Sequence, residues 1–583
     1  MTSLVPPGSV RYDEFVHRGR SDARIAGIDQ QLWELAEQYW DTVLEFSPST
    51  ATMLGDHRFD DRIEDITIDT EQRTLAEWRR LQRAVDTIDT DGLDSPDRLL
   101  RTLLLDDLDR AVTELEWRPV EMGAGQMDGV HARLLTTISQ INAPQPHAAA
   151  ALAQRHRQIE GLLDTAVHRF RAGLAAGRAP ARVTIERSLH QLDAYLASDL
   201  SADPFTIVAG PVGWDGEHVW RQELSEITRE VIRPAFRRYR DMLATELLPN
   251  SRPGERAGLC WLGDDGAAIY ERLIRCHTTM PGLDPEEIHQ LGLTELDRLR
   301  EEYARIGSQL FGTTDPETLF ARLRADPDLR YRDGAEILAH ARRCLDSAAA
   351  VAGDWFGRLP AHPCAIAAVP AYLAPDSPAA YYYPPAADGT TAGTYYVNLH
   401  NPHDQARYET AAVAFHEAIP GHHLQLALAT ESTHLPRFLR QSWANTAFVE
   451  GWALYAERLA HEMNLYDHDL DLLGMLAGDS LRSCRLVVDT GLHAKGWSRQ
   501  KAIEFMTAHT PNSLAEITVE VDRYIDIPGQ ALGYKIGQLE IQHQREHTMA
   551  RLGGQFDLRG FHDAILSAGS ISLPTLADLA RTL

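Results

Sequence analysis

Lysine is almost missing from this chain: only Lys495, Lys501 and Lys535 occur in 583 residues, so 54 of the 57 basic residues are arginine. With its many alanines, that bias reads as GC-rich bacterial coding rather than as a function. Positive charge is scarce overall, since 84 acidic residues against 57 basic ones give a formal charge of −27. Such a surface is unsuited to neutralising a phosphate backbone, which argues against a nucleic-acid partner. Cysteine is sparse too. Cys260, Cys276, Cys344, Cys364 and Cys484 lie far apart with no CxxC pair, so neither a disulfide framework nor a thiolate zinc site is expected. No run of about 18 apolar residues occurs, and the opening MTSLVPPGSVRYDEF lacks a charged segment followed by an apolar one. The expectation is a cytoplasmic protein without a membrane partner.

What the chain has in abundance is helical periodicity. Between Leu32 and Phe46 the apolar residues Leu32, Trp33, Leu35, Tyr39, Trp40, Val43, Leu44 and Phe46 recur at three- and four-residue steps, and Leu99 to Leu115 repeats the pattern. Asp284, Pro285 and Glu287 form a helix-start signal, with Asp284 as cap, opening a helix through Leu296 and Tyr303. The expected fold class is mainly α. The exception is Pro360 to Pro402, where AYYYPP (380–385) and TYYVNL (394–399) bunch aromatics among prolines; Tyr395, Tyr396 and Val397 favour a strand and Asp388-Gly389 a hairpin, which predicts a small β-sheet. No internal repeat or Gly/Ser linker divides the chain. It reads as one continuous body, with a mainly helical region at 1–350 and a catalytic region at 351–583.

Chemistry concentrates in AFHEAIPGHHLQ (414–425), followed by Glu450 within FVEGWALYAE (448–457). His416, a second histidine and Glu450 are two imidazoles and a carboxylate, the ligand set of a catalytic zinc that keeps a position open for water. Glu417, beside His416, is the candidate general base. On a regular helix His422 would sit about 240° around the axis from His416, and His423 about 10 Å further along, so neither could share its metal. The helix must therefore break between them, and Pro420-Gly421 supplies the residues that do so. His422 is the preferred ligand and His423 the alternative. Glu450 stands among Phe448, Val449, Trp452 and Leu454, where an unpaired carboxylate is costly to bury; Glu457, seven residues on, suits an ion-pair partner better than a ligand. Two other pairings compete. His461-Glu462 reads as a polar helix end, and His543-Gln544-Arg545-Glu546-His547 matches HxxEH but has no glutamate in the residues that follow, so a solvated helix face is expected.

HEAIPGHHLQ, FVEGWALYAE, RLVVDTGLH (485–493) and PGQALGYKIGQ (528–538), together with SPSTATMLGDHRFDDRIED near residue 50, resemble the bacterial domain of unknown function 885 family, related to zinc peptidases of the thimet-oligopeptidase and carboxypeptidase Taq type. That resemblance implies a large helical body with a deep central cleft, a metal-bearing helix pair on its floor and the small sheet beside the metal site. It also implies that the histidine of the GH pair, His422, binds zinc. The extra residues before that pair depart from the peptidase pattern, and dipeptidyl-peptidase III is similar in carrying a lengthened motif.

Further roles are assigned as expectations. Asp489 and His493, four apart, can pair on one helical face and aim the imidazole at an oxyanion. Related peptidases donate to the oxyanion from a tyrosine in a late glycine-rich segment, which the match places at Tyr534, with Tyr524 as the alternative. Arg523 and Lys535 are candidates for holding a substrate carboxylate. Tyr395 to Asn398 could present a strand edge to an extended peptide. The leading function is a zinc-dependent hydrolase of peptide or amide bonds, acting on a peptide or an amide-containing small molecule. The alternatives are a zinc-binding protein without peptidase activity and a specialised amide hydrolase of small-molecule metabolism.

Overall fold

The computed structural model describes residues 29–583 apart from 371–373, 375–377, 386–390 and 443; the opening segment and the Asp388-Gly389 turn lie outside the described residues. The chain is mainly helical, with one small sheet. Helix α1 (Gln30–Phe46) is capped by Asp29, whose side chain accepts from the Leu32 amide, and buries Leu32, Leu35, Ala36, Tyr39, Trp40 and Leu44. Helix α2 (Ser95–Glu116) buries a comparable leucine-rich face from Leu99 to Leu115. After α3 (Asp264–Thr278), helix α4 (Pro285–Phe311) begins where its start signal places it. Asp284 accepts from the Glu286 amide at 2.7 Å, and Gly312, in the left-handed region at φ 69°, ends the helix. Helix α5 (Gly334–Trp355) then leads into the sheet.

The sheet has the order β1-β3-β2, formed by β1 (Ala365–Ala368), β2 (Ala380–Tyr383) and β3 (Thr394–Val397). β3 pairs in parallel with β1, Ile366 opposite Tyr395, and antiparallel with β2, Tyr382 opposite Tyr395. The expectation that Tyr395 lends a strand edge to substrate is therefore corrected: both edges of its strand are already paired, and its side chain is buried.

The metal-motif residues follow on α6 (Thr410–Glu417), α7 (His422–Glu431) and α8 (Thr446–Glu462), backed by α9 (Asp469–His493), α10 (Leu514–Asp526) and α11 (Leu532–Leu552). One apolar cluster joins α1, α2, α5, β3 and α6 to α8, so the first two of these helices and the motif share a core. Polar ties reinforce it: Trp40 Nε1 donates to Gln441 at 2.8 Å, and Arg437 pairs with Glu37 and Asp41. Helices α8 and α11 run parallel in close contact. Gly533 faces Thr446 and Ala447, Gly537 faces Ala447 and Gly451, and Gln538 donates to the Leu454 carbonyl. A Cβ on Gly537 would lie 1.8 Å from the Ala447 carbonyl oxygen, so only glycine permits this spacing.

Gly537→Ala should lower stability by about 3 kcal/mol, because backbone rather than a flexible side chain blocks the added methyl. Gly161→Ala, on a helix with nothing within 4 Å of the new Cβ, should be neutral or stabilising by up to about 1 kcal/mol. Thermal midpoints of the two variants against wild type check the contrast.

Candidate metal centre

Helix α6 buries Ala411, Ala412, Ala414, Phe415 and His416 and ends at Glu417. Ala418 (φ −104°, ψ −110°) and Gly421 (φ −82°, ψ −129°) leave helical territory, the Ile419–Pro420 peptide is cis, and α7 starts at His422. Gly421 packs so closely on the first helix end that a Cβ there would lie 1.9 Å from the His416 carbonyl oxygen. Glycine is required at that contact, and the contact brings the start of α7 back beside the end of α6. The His416 and His422 rings consequently stand 4.8 Å apart at 87°. Trp452 Nε1, on α8, donates to the Pro420 carbonyl at 3.0 Å and fixes the turn against the third helix.

Glu450 comes from the first turns of α8. Its Oε2 lies 3.6 Å from His416 Nε2 and 3.5 Å from His422 Nε2, and all three donor atoms fall within 4.8 Å of one another. Bonds of about 2.1 Å to a tetrahedral ion place neighbouring donors about 3.4 Å apart, so the two measured edges fit zinc. Among the described residues this is the one His/Cys/Asp/Glu group spaced to hold a metal. Glu457, two turns beyond Glu450, contacts His416 Nδ1 at 2.8 Å, the kind of support that orients a metal-binding imidazole. His422 Nδ1 is buried without a hydrogen-bond partner among the described residues.

Burial opposes a charge on His416, but the Glu450 and Glu457 carboxylates, which accept from the charged ring, outweigh it and raise the imidazole to about 9. Burial also opposes the Glu450 carboxylate, and the two histidines nonetheless hold it well below the usual range. The cluster is arranged to stabilise positive charge between its members. Glu417, half-buried, sits at the end of α6 on the side of the sheet: Tyr395, raised chiefly by burial, is raised further by the Glu417 charge.

His423 turns away. Its Nδ1 accepts from Tyr382 Oη at 3.0 Å and its Nε2 donates to the His362 carbonyl at 3.2 Å, so both nitrogens are engaged. The structure brings His422, and not His423, to His416 and Glu450. The two competing motifs stay apart from any such group: Glu462 pairs with Arg545 at 2.6 Å, and His543, Glu546 and His547 all face solvent.

Other expected site residues are placed differently. His493 is buried, with Nδ1 accepting from the Leu259 amide at 3.1 Å and Nε2 donating to the Tyr524 carbonyl at 2.9 Å. It has no nitrogen left for an oxyanion. The expected Asp489–His493 pair is not made either, because Asp489 accepts instead from Tyr270 Oη at 2.6 Å and from the Gly529 amide at 3.1 Å. Lys535 is fully buried, donating to Asp479 at 2.6 Å and Gln538 at 2.8 Å with Glu295 at 3.0 Å, so it neutralises core carboxylates rather than meeting a substrate. Tyr524 is engaged with Glu520 at 2.6 Å. Tyr534 accepts from Arg523 Nη2 at 3.2 Å, and its ring lies under Arg485, Arg482 and Arg523. Sequence reasoning passed over Arg482 and Arg485; the available signal was their three-residue spacing on one helix face, invisible against 54 arginines.

Metal analysis of purified variants checks the ligand assignment: His423→Phe should retain one divalent metal per chain, whereas His422→Phe and Gly421→Ala should lose it. A second expectation concerns Asp489, which burial raises from 3.8 to about 7 against the lowering effect of its hydrogen bonds. The folded state then holds this proton more tightly than the unfolded state, so the contribution to stability is full below about pH 4 and declines as pH rises to about 7. The stability difference between wild type and Asp489→Asn should fall across that window and level off above it, as followed by thermal denaturation.

No curated protein matches the chain. Among solved structures, a candidate lipoprotein from Colwellia psychrerythraea is similar at 26% identity with a TM-score of 0.87, covering 95% of this chain and 98% of that one. A candidate lipoprotein of unknown function from Shewanella oneidensis shares the fold at 19% identity, with a TM-score of 0.71, covering 94% of this chain and 100% of that one. Residues 48–579 match the family described as Bacterial protein of unknown function (DUF885). By that match over most of its length, the chain belongs to the DUF885 family.

Proposed function

We propose that this protein is a zinc-dependent hydrolase of peptide or amide bonds, related to metallopeptidases of the thimet-oligopeptidase and carboxypeptidase Taq type, with its metal centre on the floor of a cleft beside the sheet. The observation that carries the reading is the convergence of His416, His422 and Glu450 from three helices, with Glu417 next to the first ligand. Zinc held by these residues supplies a Lewis acid and a water of lowered pKa. Glu417 takes the proton of the attacking water and returns it to the leaving amine. Tyr534 is assigned to support the oxyanion, its hydroxyl oriented by Arg523 at 3.2 Å. His493 has no part in this scheme. The substrate is a peptide or an amide-containing small molecule.

No helix among the described residues is long and apolar enough to cross a membrane. The lipoprotein description of the similar Colwellia protein nonetheless favours the cell envelope over the cytoplasm as the location.

Wild-type protein should hold about one zinc and cleave members of a broad peptide library. Glu417→Gln should keep the zinc while kcat/KM falls roughly 10²- to 10⁴-fold. Full activity in that variant sinks the mechanism, and stoichiometric zinc with no cleavage by wild type favours a metal protein without hydrolase activity.

A further inference from the structure

Three guanidinium groups converge on Tyr534 at the border of the metal centre. Arg482 and Arg485 lie one turn apart on α9 and Arg523 comes from α10; their Cζ atoms stand 5.9, 4.3 and 5.8 Å from the Tyr534 ring centre. Their counter-charges fall short of their number. Among the described residues Glu520 is the one carboxylate in direct contact, 2.8 Å from Arg485 Nη2 and 3.4 Å from Arg523 Nη1. Glu457 is 4.0 Å from Arg482, and that same Oε1 is already bound by His416 Nδ1 at 2.8 Å. Glu409 is also within electrostatic reach of Arg482, but burial, then the neighbouring charge of Glu516, pushes its carboxyl up to about 8, so near neutral pH it is mostly protonated.

Donor accounting shows the same excess. Arg482 Nε and Arg485 Nη1 are buried with no hydrogen-bond partner among the described residues. Unpaired N–H groups on buried cations are costly, and an acceptor with its own negative charge relieves that cost most. In a chain of net charge −27, a local surplus of cations is contrary to the general trend. The side chains of Arg482 and Arg523 keep 18% and 20% of their surface exposed, whereas Arg485 keeps 3%. Arg485 therefore holds the Tyr534 ring and Glu520 from beneath, and the other two flank the tyrosine where a ligand can reach.

We propose that Arg482 and Arg523 receive the free terminal carboxylate of the substrate, with Arg485 as a positioning residue beneath them. Resting on the hydrolase reading above, this narrows the substrate to a short peptide or acyl amino acid with an unblocked carboxyl end. Glu457 touches both the metal-centre histidine and Arg482, so the two sites are adjacent. An extended residue spans about 3.3–3.6 Å, so the cleaved bond lies within a residue or two of that terminus.

The test uses zinc-loaded, full-length Glu417→Gln protein and a pool of N-acetyl tripeptides, prepared once with free carboxylates and once as C-terminal amides, with affinity read by calorimetry. The free acids should bind about 10-fold or more tightly than the amides. Arg482→Gln and Arg523→Gln should each erase the preference while leaving zinc content unchanged, and Arg482→Lys should restore part of it. Equal binding of acids and amides, or no binding of either, overturns the proposal. Wild-type turnover is scored separately: a carboxylate preference without any cleavage upholds this assignment and defeats the hydrolase reading instead.

Discussion

The contact of Gly421 with the His416 carbonyl is the constraint on which the rest of the centre depends. Two histidines six residues apart on an unbroken helix point to different sides of it. Here the chain leaves the helix after Glu417, crosses Ala418 to Gly421 and restarts at His422, with the missing Cβ of Gly421 letting the second helix end sit directly on the first. Trp452 holds the Pro420 carbonyl from α8, the same helix that delivers Glu450. The turn and the third donor are thereby positioned by one element, so the three donor atoms converge without any of them belonging to a flexible loop.

Around this centre, buried charge is organised in connected groups. His416 joins Glu450 and Glu457; Glu457 approaches Arg482; Arg482, Arg485 and Arg523 surround Tyr534; Glu520 binds two of those arginines. A separate network of Lys535, Asp479, Glu295 and Arg458 fastens α11 to α9 and α4. Burial of each ion is unfavourable alone, and breaking one member leaves its neighbours uncompensated. The second network is balanced and closed. The first carries surplus positive charge at Tyr534 and faces the metal centre, which is why it and not the other is assigned a ligand.

Helix boundaries were legible where local chemistry specifies them. Asp284 caps the helix that follows it, and the apolar stripes of α1 and α2 are buried as their periodicity requires. The strand at Tyr395 was legible from its aromatic and β-branched run, but its central place in the sheet was not, because strand order depends on pairing with Ala365 to Ala368 and Ala380 to Tyr383. Asp489 and His493 show the same limit. Their four-residue spacing permits a pair, yet Tyr270, Gly529, Leu259 and Tyr524 offer each of them a partner from another element.

The sequence by itself determined that the chain is mainly helical, that the candidate chemistry lies between residues 414 and 457, and that a break at Pro420-Gly421 must separate the histidines, since these follow from periodicity, residue type and helical geometry. Only the tertiary structure set His422 rather than His423 beside His416 and Glu450, withdrew Lys535 and His493 into the core, and gathered Arg482, Arg485 and Arg523 around one tyrosine. The reason is physical: a side chain's role depends on which hydrogen-bond and charge partners reach it, and those partners come from segments up to hundreds of residues away.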